Sequence, residues 1–108
     1  MSQHRQLAQL LIEVEREMRA LDLWQASAPS AEALSSAQPF CVDTLSFCEW
    51  VQWIMIPRFC IMIEQRQPLP ASSDIASMAE EVFKEVDADT AILLELITEI
   101  DRTLRALH

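Results

Sequence analysis

The sequence predicts an all-α fold: a small antiparallel bundle of four main helices around a buried, proline-kinked central helix, plus one short helix. Three observations carry that reading. The 108 residues include no glycine, no tyrosine and no asparagine. Tight hairpins, phosphate-cradling loops and dinucleotide-binding turns are built on glycine or asparagine at positive φ, so all three are disfavoured. Apolar residues recur at steps of three and four near both ends of the chain, which is the helix period. Between them, residues 45–63 carry only Ser46, Glu49, Gln52 and Arg58 as polar or charged side chains, and a helix apolar nearly all round is expected to be buried.

Taken in order, residues 2–21 form the first helix, with Ser2 as a possible N-cap and one stripe of Leu7, Leu10, Leu11, Val14, Met18 and Leu21. Pro29 and the serines around it break the period, with Trp24 expected as an anchor under that loop. Pro29 and Ser30 start a short helix over residues 31–37, ended by Gln38 and Pro39. Phe40 and Val42 lead into the central helix, where Asp43 or Thr44 is the expected cap and either lead-in residue can pack back on the first turn.

Within the central helix, Trp50, Trp53, Ile54, Ile56, Phe59, Ile61, Met62 and Ile63 are expected to supply the bulk of the core. Pro57 removes one hydrogen-bond donor and biases Ile56 away from α geometry, which predicts a kink or break between residues 53 and 57. Pro68 and Pro70 stiffen the next loop. Ser72 or Ser73 caps a helix over residues 74–86 that presents Ile75, Met78, Ala79, Val82, Phe83 and Val86 on one side. Asp87 or Asp89 caps the last, whose stripe is Leu93, Leu96, Ile97, Ile100, Leu104 and Leu107. Residues 1–108 are thus expected to make one domain.

Seventeen acidic against eight basic residues give a formal net charge of −9. Nine of the acids, from Asp74 to Asp101, share their span with Lys84 as its only base. Such a field repels phosphate, so direct nucleic-acid binding is not expected. The acidic span reads as a solvated face or as a docking face for a basic partner. Cys41, Cys48 and Cys60 are odd in number and lack CxxC spacing, which fits free core thiols in a reducing cytoplasm. The first residues lack the pattern of a signal peptide. Glu49, Gln52, Pro57 and Arg58 argue against a membrane span through the apolar stretch.

Several motifs resemble those of a known family: Gln38-Pro39-Phe40, Asp43-Thr44, the run Glu49-Trp50-Val51-Gln52-Trp53-Ile54-Met55-Ile56-Pro57-Arg58, and Gln67-Pro68-Leu69-Pro70. Together they are similar to the YqcC-like family of small bacterial proteins, with Val51 a conservative departure from an expected leucine. The resemblance implies a small helical domain with no catalytic residues to carry over. It also implies at most an association with a tRNA pseudouridine synthase of the C type.

No constellation of recognisable chemistry is present. His4 and His108 lie at the ends, so the pairs Glu13 with Glu17 and Glu95 with Glu99 have no imidazole to complete a di-iron set, and neither a metal nor another cofactor is expected. The cysteines lack an internal histidine base, and serine lacks a glycine-built oxyanion turn, so enzymatic activity is not expected. Glu49, Trp50, Gln52, Trp53 and Arg58 form the candidate partner or ligand patch. In one reading Arg58 bonds carbonyls freed near the proline or a carboxylate on another helix, while Glu49 and Gln52 reach the rim. In the other, these groups and a tryptophan line a groove for a partner, tryptophan and arginine being enriched at such anchors. The expected function is a non-catalytic cytoplasmic protein-interaction module, and the alternative is a small-molecule-binding bundle with an apolar pocket near Pro57 ringed by Glu49, Gln52 and Arg58. A homodimer would also bury surplus apolar surface.

Overall fold

A computed structural model describes residues 3–70 and 73–105. Helix α1 spans Gln3–Ala20, a single turn α2 spans Ala31–Leu34, and a 3-10 turn spans Pro39–Cys41. A long composite helix follows, built from α3 (Phe47–Trp50), a π turn (Val51–Met55) and α4 (Ile56–Glu64). Helices α5 (Ile75–Phe83) and α6 (Ala91–Arg105) complete the order, and no strand occurs among the described residues. The caps expected at Ser2 and Ser72, and Leu107 of the last stripe, lie outside the described residues.

Polar contacts between ends establish the topology. The Gln3 side chain donates to the carbonyl of Thr103 at 2.9 Å, setting the start of α1 beside the end of α6. The His4 ring bonds the Gln67 carbonyl at 2.8 Å, setting the same start beside the end of α4. Phe47 and Phe83 meet edge to face at 5.8 Å, so the start of the composite helix lies against the end of α5. Ile75 and Ala76 bond Asp101, so α5 starts where α6 ends. Each neighbour is therefore antiparallel to the next, the up-down-up-down arrangement of a four-helix bundle.

Each helix gives the core one stripe: Leu7, Leu11, Val14 and Met18 from α1; Phe47, Val51, Met55 and Phe59 from the composite helix; Ile75, Ala79 and Phe83 from α5; Leu93, Ile97, Ile100 and Leu104 from α6. Truncating one such leucine or isoleucine to alanine costs about 2–5 kcal/mol. That is a large part of the roughly 5–15 kcal/mol that holds a domain together. Of the stripes read from sequence in α1 and α6, Leu7, Leu11, Val14, Met18, Leu93, Ile97, Ile100 and Leu104 are buried, while Leu10, Leu21 and Leu96 pack against the core from its edge; Trp24 also packs there, with the Arg19 guanidinium 5.1 Å above its ring.

The composite helix differs from expectation in burial. Of the eight residues assigned to its core, only Phe59 is buried, Ile61 is 50% exposed, and Trp50, Ile56, Met62 and Ile63 pack from the periphery. Four helices in a square each turn one face inward, so the helix is covered along a stripe rather than around its circumference. Its irregularity is the π turn, and Ile56 keeps α geometry (φ −62°, ψ −49°) instead of leaving it, its N–H reaching the Val51 carbonyl. A π turn accommodates Pro57 by shifting the hydrogen-bond register, so the chain bends its pattern without breaking.

The local boundaries follow side-chain chemistry. Ser46, not Asp43 or Thr44, caps the composite helix through a reciprocal box: Glu49 N–H donates to Ser46 Oγ, and Ser46 N–H donates to the Glu49 carboxylate at 2.8 Å. Asp43 and Thr44 instead tie the preceding turn to Ser36 and to the Ala33 carbonyl. Phe40 packs back on the first turn, its ring 4.8 Å from that of Trp50, whereas Val42 is exposed. Ser30 caps α2, which stops at Leu34, earlier than expected, and Asp89 accepts from Ala91 N–H at the start of α6. Without glycine, left-handed positions fall to Asp22, Phe40, Cys41 and Arg66. Asp22 and Arg66 each close a helix through a six-to-one bond, Leu23 N–H to Met18 and Gln67 N–H to Met62, both 2.8 Å.

Candidate functional site

The five candidate residues divide between two sides of the composite helix. Glu49, Gln52 and Trp53, at i, i+3 and i+4, share one face, and all three converge on Gln25 in the loop after α1. Gln52 accepts from Gln25 N–H and donates to its carbonyl, both at 2.8 Å. The Gln25 side chain donates to Glu49 at 3.2 Å and accepts from the Trp53 indole N–H at 3.2 Å. Gln52 is buried rather than at the rim, only 4% exposed, and its amide reproduces a backbone pair that the loop would otherwise lack. The Ser46 backbone N–H, chiefly, together with the Gln25 and Ser46 side chains, outweighs desolvation and lowers the Glu49 pKa. This face is a strut that fastens the loop to the helix.

Trp50 and Arg58 occupy the other side. Trp50 lies between Phe40 and Phe47, with ring centroids 4.8 and 6.1 Å away. With Phe40 and Arg58 it lines two adjoining grooves of about 360 and 370 Å³. One continues over Met62 to Ile75 and Asp74 at the start of α5; the other runs past Ile54 to Gln38 and Leu34. Arg58 is exposed and makes no hydrogen bond or ion pair with any described residue, so it does not bond the carbonyls near Pro57 or a carboxylate on another helix. Neither groove includes Glu49 or Gln52, so these residues do not join Arg58 in a ring.

Packing holds this ridge together against backbone strain. Phe40 (φ 57°) and Cys41 (φ 49°) are consecutive non-glycine residues in the left-handed region. Each such residue costs roughly 1–2 kcal/mol, and the packing of Phe40 on Trp50 and the burial of Cys41 offset that cost. The sequence marked Phe40 only as a packing residue; its place in both grooves follows from this turn.

The remaining chemistry is structural. No group of three or more His, Cys, Asp or Glu residues among those described is placed to hold a metal ion. The three cysteines are free thiols. Burial first and Glu49 second push the Cys48 thiol up, and burial first, then Glu64 and Glu15, do the same to Cys60, which opposes thiolate chemistry. Asp101, counted from sequence on an acidic face that is either solvated or a docking surface, is instead 1% exposed. Its carboxylate accepts from Ser73 Oγ, from Ile75 N–H at 3.0 Å and from Ala76 N–H at 2.8 Å, capping α5 from across the bundle. No helix among the described residues is long and apolar enough to cross a membrane.

Comparison with known proteins places the chain. The family described as DUF446, tRNA pseudouridine synthase C, matches residues 6–103. An uncharacterized protein of Haemophilus influenzae is 38% identical over 85% of this chain and 87% of its own length. A protein of Pectobacterium carotovorum named tRNA pseudouridine synthase C is 38% identical over 67% of this chain but only 19% of its own length. The solution NMR structure of YqcC from Escherichia coli superposes with a TM-score of 0.85 at 28% identity, covering 97% of this chain and 90% of that one. The match across nearly all of the described bundle shows that the chain belongs to the DUF446, or YqcC-like, family of small helical proteins.

Proposed function

We propose that the chain is a non-catalytic cytoplasmic interaction module that docks on a tRNA-modifying enzyme of the pseudouridine synthase class through the Phe40, Trp50 and Arg58 ridge. One observation carries the reading: a segment similar to this chain makes up 19% of a protein named tRNA pseudouridine synthase C. A module found within such a protein is a candidate to act beside one when it stands apart. The ridge supports this surface, because it combines two aromatic rings with an arginine that no described residue neutralises. Aromatic and arginine side chains are the anchors that dominate protein interfaces.

The test is a titration of the chain against the pseudouridine synthase of the same organism, comparing wild type with Arg58→Ala. The variant is expected to keep its melting temperature, since Arg58 has no bond to lose among the described residues, and to weaken binding by about tenfold or more. A variant that unfolds at lower temperature, or binds as well as wild type, overturns this choice of surface. The second reading, a small-molecule site, is favoured by the grooves of about 360 and 370 Å³, which fall in the lower range of ligand sites. Both grooves are open to solvent, whereas ligand sites enclose most of their ligand. A stoichiometric ligand in native mass spectra of the purified chain would favour that reading over docking.

A further inference from the structure

A third groove, of about 250 Å³, lies on the opposite flank of α4, between that helix and α1, and shares no lining residue with the two beside Arg58. Its apolar lining includes Ile12, 54% exposed, together with Ile56 and Ile63; Cys60 lies among them, and Glu15 and Glu64 complete the wall. The geometry points to a docking groove for an amphipathic helix of a partner protein, its apolar stripe seated on Ile12, Ile56 and Ile63 and its lysine or arginine side chains set against Glu64 and Glu15.

The shape argues for a helix, because two antiparallel helices form the walls, and a third can lay its apolar face between them. The charge argues for a basic one. Glu64 has no hydrogen bond or ion pair with any described residue, while Glu15 is paired with Arg19 at 2.9 Å. Both carboxylates bear on the groove, since both contribute to the raised pKa of the Cys60 thiol, after burial. A second copy of this chain is the poorer occupant. It would bring a formal charge of −9 toward another −9 and, across a two-fold axis, its own Glu15 and Glu64 toward the same rim.

Cys60 is the exposed one of the three thiols and therefore a reporter inside the groove. The experiment follows iodoacetamide alkylation at each cysteine by mass spectrometry while the full chain is titrated with a helical peptide bearing a leucine stripe flanked by lysines. A counterpart with glutamates in place of the lysines serves as control. Saturating lysine peptide is expected to slow Cys60 alkylation about tenfold as the thiol is covered, leaving Cys41 and Cys48 unchanged. Ile12→Ser is expected to raise the half-saturating concentration about tenfold through lost apolar contact. Glu64→Gln is expected to raise it about two- to fivefold, as befits one exposed charge pair. Four results overturn the inference: no protection of Cys60, equal protection by the glutamate peptide, indifference to Ile12→Ser, or protection produced by raising the chain's own concentration alone.

Discussion

Replacing Asp101 with alanine tests the most consequential polar contact in the bundle. The substitution leaves the N–H groups of Ile75 and Ala76, and the Ser73 hydroxyl, without their acceptor at the start of α5. A buried donor left unpaired costs about 1–3 kcal/mol, and loss of an anion at a helix N-terminus costs up to about 2 kcal/mol where partly buried. Two effects work in the other direction: water can reach the less buried of the donors, and alanine exceeds aspartate in helix propensity by up to about 0.7 kcal/mol. The net expectation is a loss of about 3 kcal/mol, which at about 4–8 °C per kcal/mol for a domain of this size lowers the melting temperature by at least about 12 °C. Urea denaturation followed by circular dichroism measures the change, with an unaltered slope showing that the same surface is exposed. Hydrogen exchange should accelerate first at Ile75 and Ala76. Asp101→Asn keeps one acceptor oxygen but turns an N–H₂ toward backbone donors, so it should recover less than half of the loss. A drop smaller than about 1 kcal/mol for Asp101→Ala would refute the assignment of this carboxylate as the cap that holds α5 to α6.

Other consequences are as direct. Gln52→Leu keeps the volume but leaves the Gln25 N–H and carbonyl unpaired, so the urea midpoint should fall by the equivalent of about 2 kcal/mol; an unchanged midpoint would show that the loop finds other partners. Arg66→Gly and Asp22→Gly remove left-handed strain of roughly 1–2 kcal/mol against a backbone-entropy cost of about 0.5–1 kcal/mol. Each should therefore raise the melting temperature by about 4 °C, which calorimetry can resolve. The Glu49 carboxyl is held below its ordinary value of 4.5, so its contribution is fully present above that value and is lost as pH falls through the lower folded value. Stability measured from pH 6 down to pH 3 should fall less steeply in Glu49→Gln than in wild type, and parallel curves would refute the capping role.

The terminal stripes were legible because they depend only on the period of one helix. Leu7, Leu11, Val14 and Met18, and Leu93, Ile97, Ile100 and Leu104, could face nowhere but inward. The central stretch was different, since apolar side chains in every direction carry no information about which direction the neighbours occupy. Composition therefore overstated the cover on Trp53 and Ile61. The cap at Ser46 was readable, because Ser46 and Glu49 have the spacing of a capping box, although Asp43 and Thr44 competed with it. Asp101 was not. Whether a carboxylate on α6 is solvated or buried depends on where the first turn of α5 lands, which no local pattern records. Gln25 was equally silent, yet the three residues that grip it lie at i, i+3 and i+4 of one motif. For the site, Trp50 and Arg58 were found together as a patch, while the turn that brings Phe40 to them depends on positive φ at residues that rarely adopt it.

The π turn explains why the central motif separates into a strut and a ridge. At 3.6 residues per turn, side chains twelve residues apart drift by about 120°, whereas eleven residues leave them about 20° apart. Phe47, Val51, Met55 and Phe59 nevertheless form one buried stripe at steps of four, because the π turn absorbs one residue between Val51 and Met55. The same shift acts on the other face. Trp50 and Arg58, eight residues apart, would diverge by about 80° on an unbroken α-helix, but count as seven and fall within about 20° of each other. Glu49, Gln52 and Trp53 begin before or within the turn and keep their common direction toward Gln25. Pro57 stands at the first turn of α4, where its missing N–H is tolerated. The register shift thus gives one apolar sequence three faces at once: a core stripe, a loop anchor, and an aromatic ridge carrying an arginine with no partner among the described residues. A regular α register through all of these residues would rotate Phe59 about 100° off the core, whereas deleting one residue between Val51 and Met55 would keep it in phase, so the ridge and the core depend on the same extra residue.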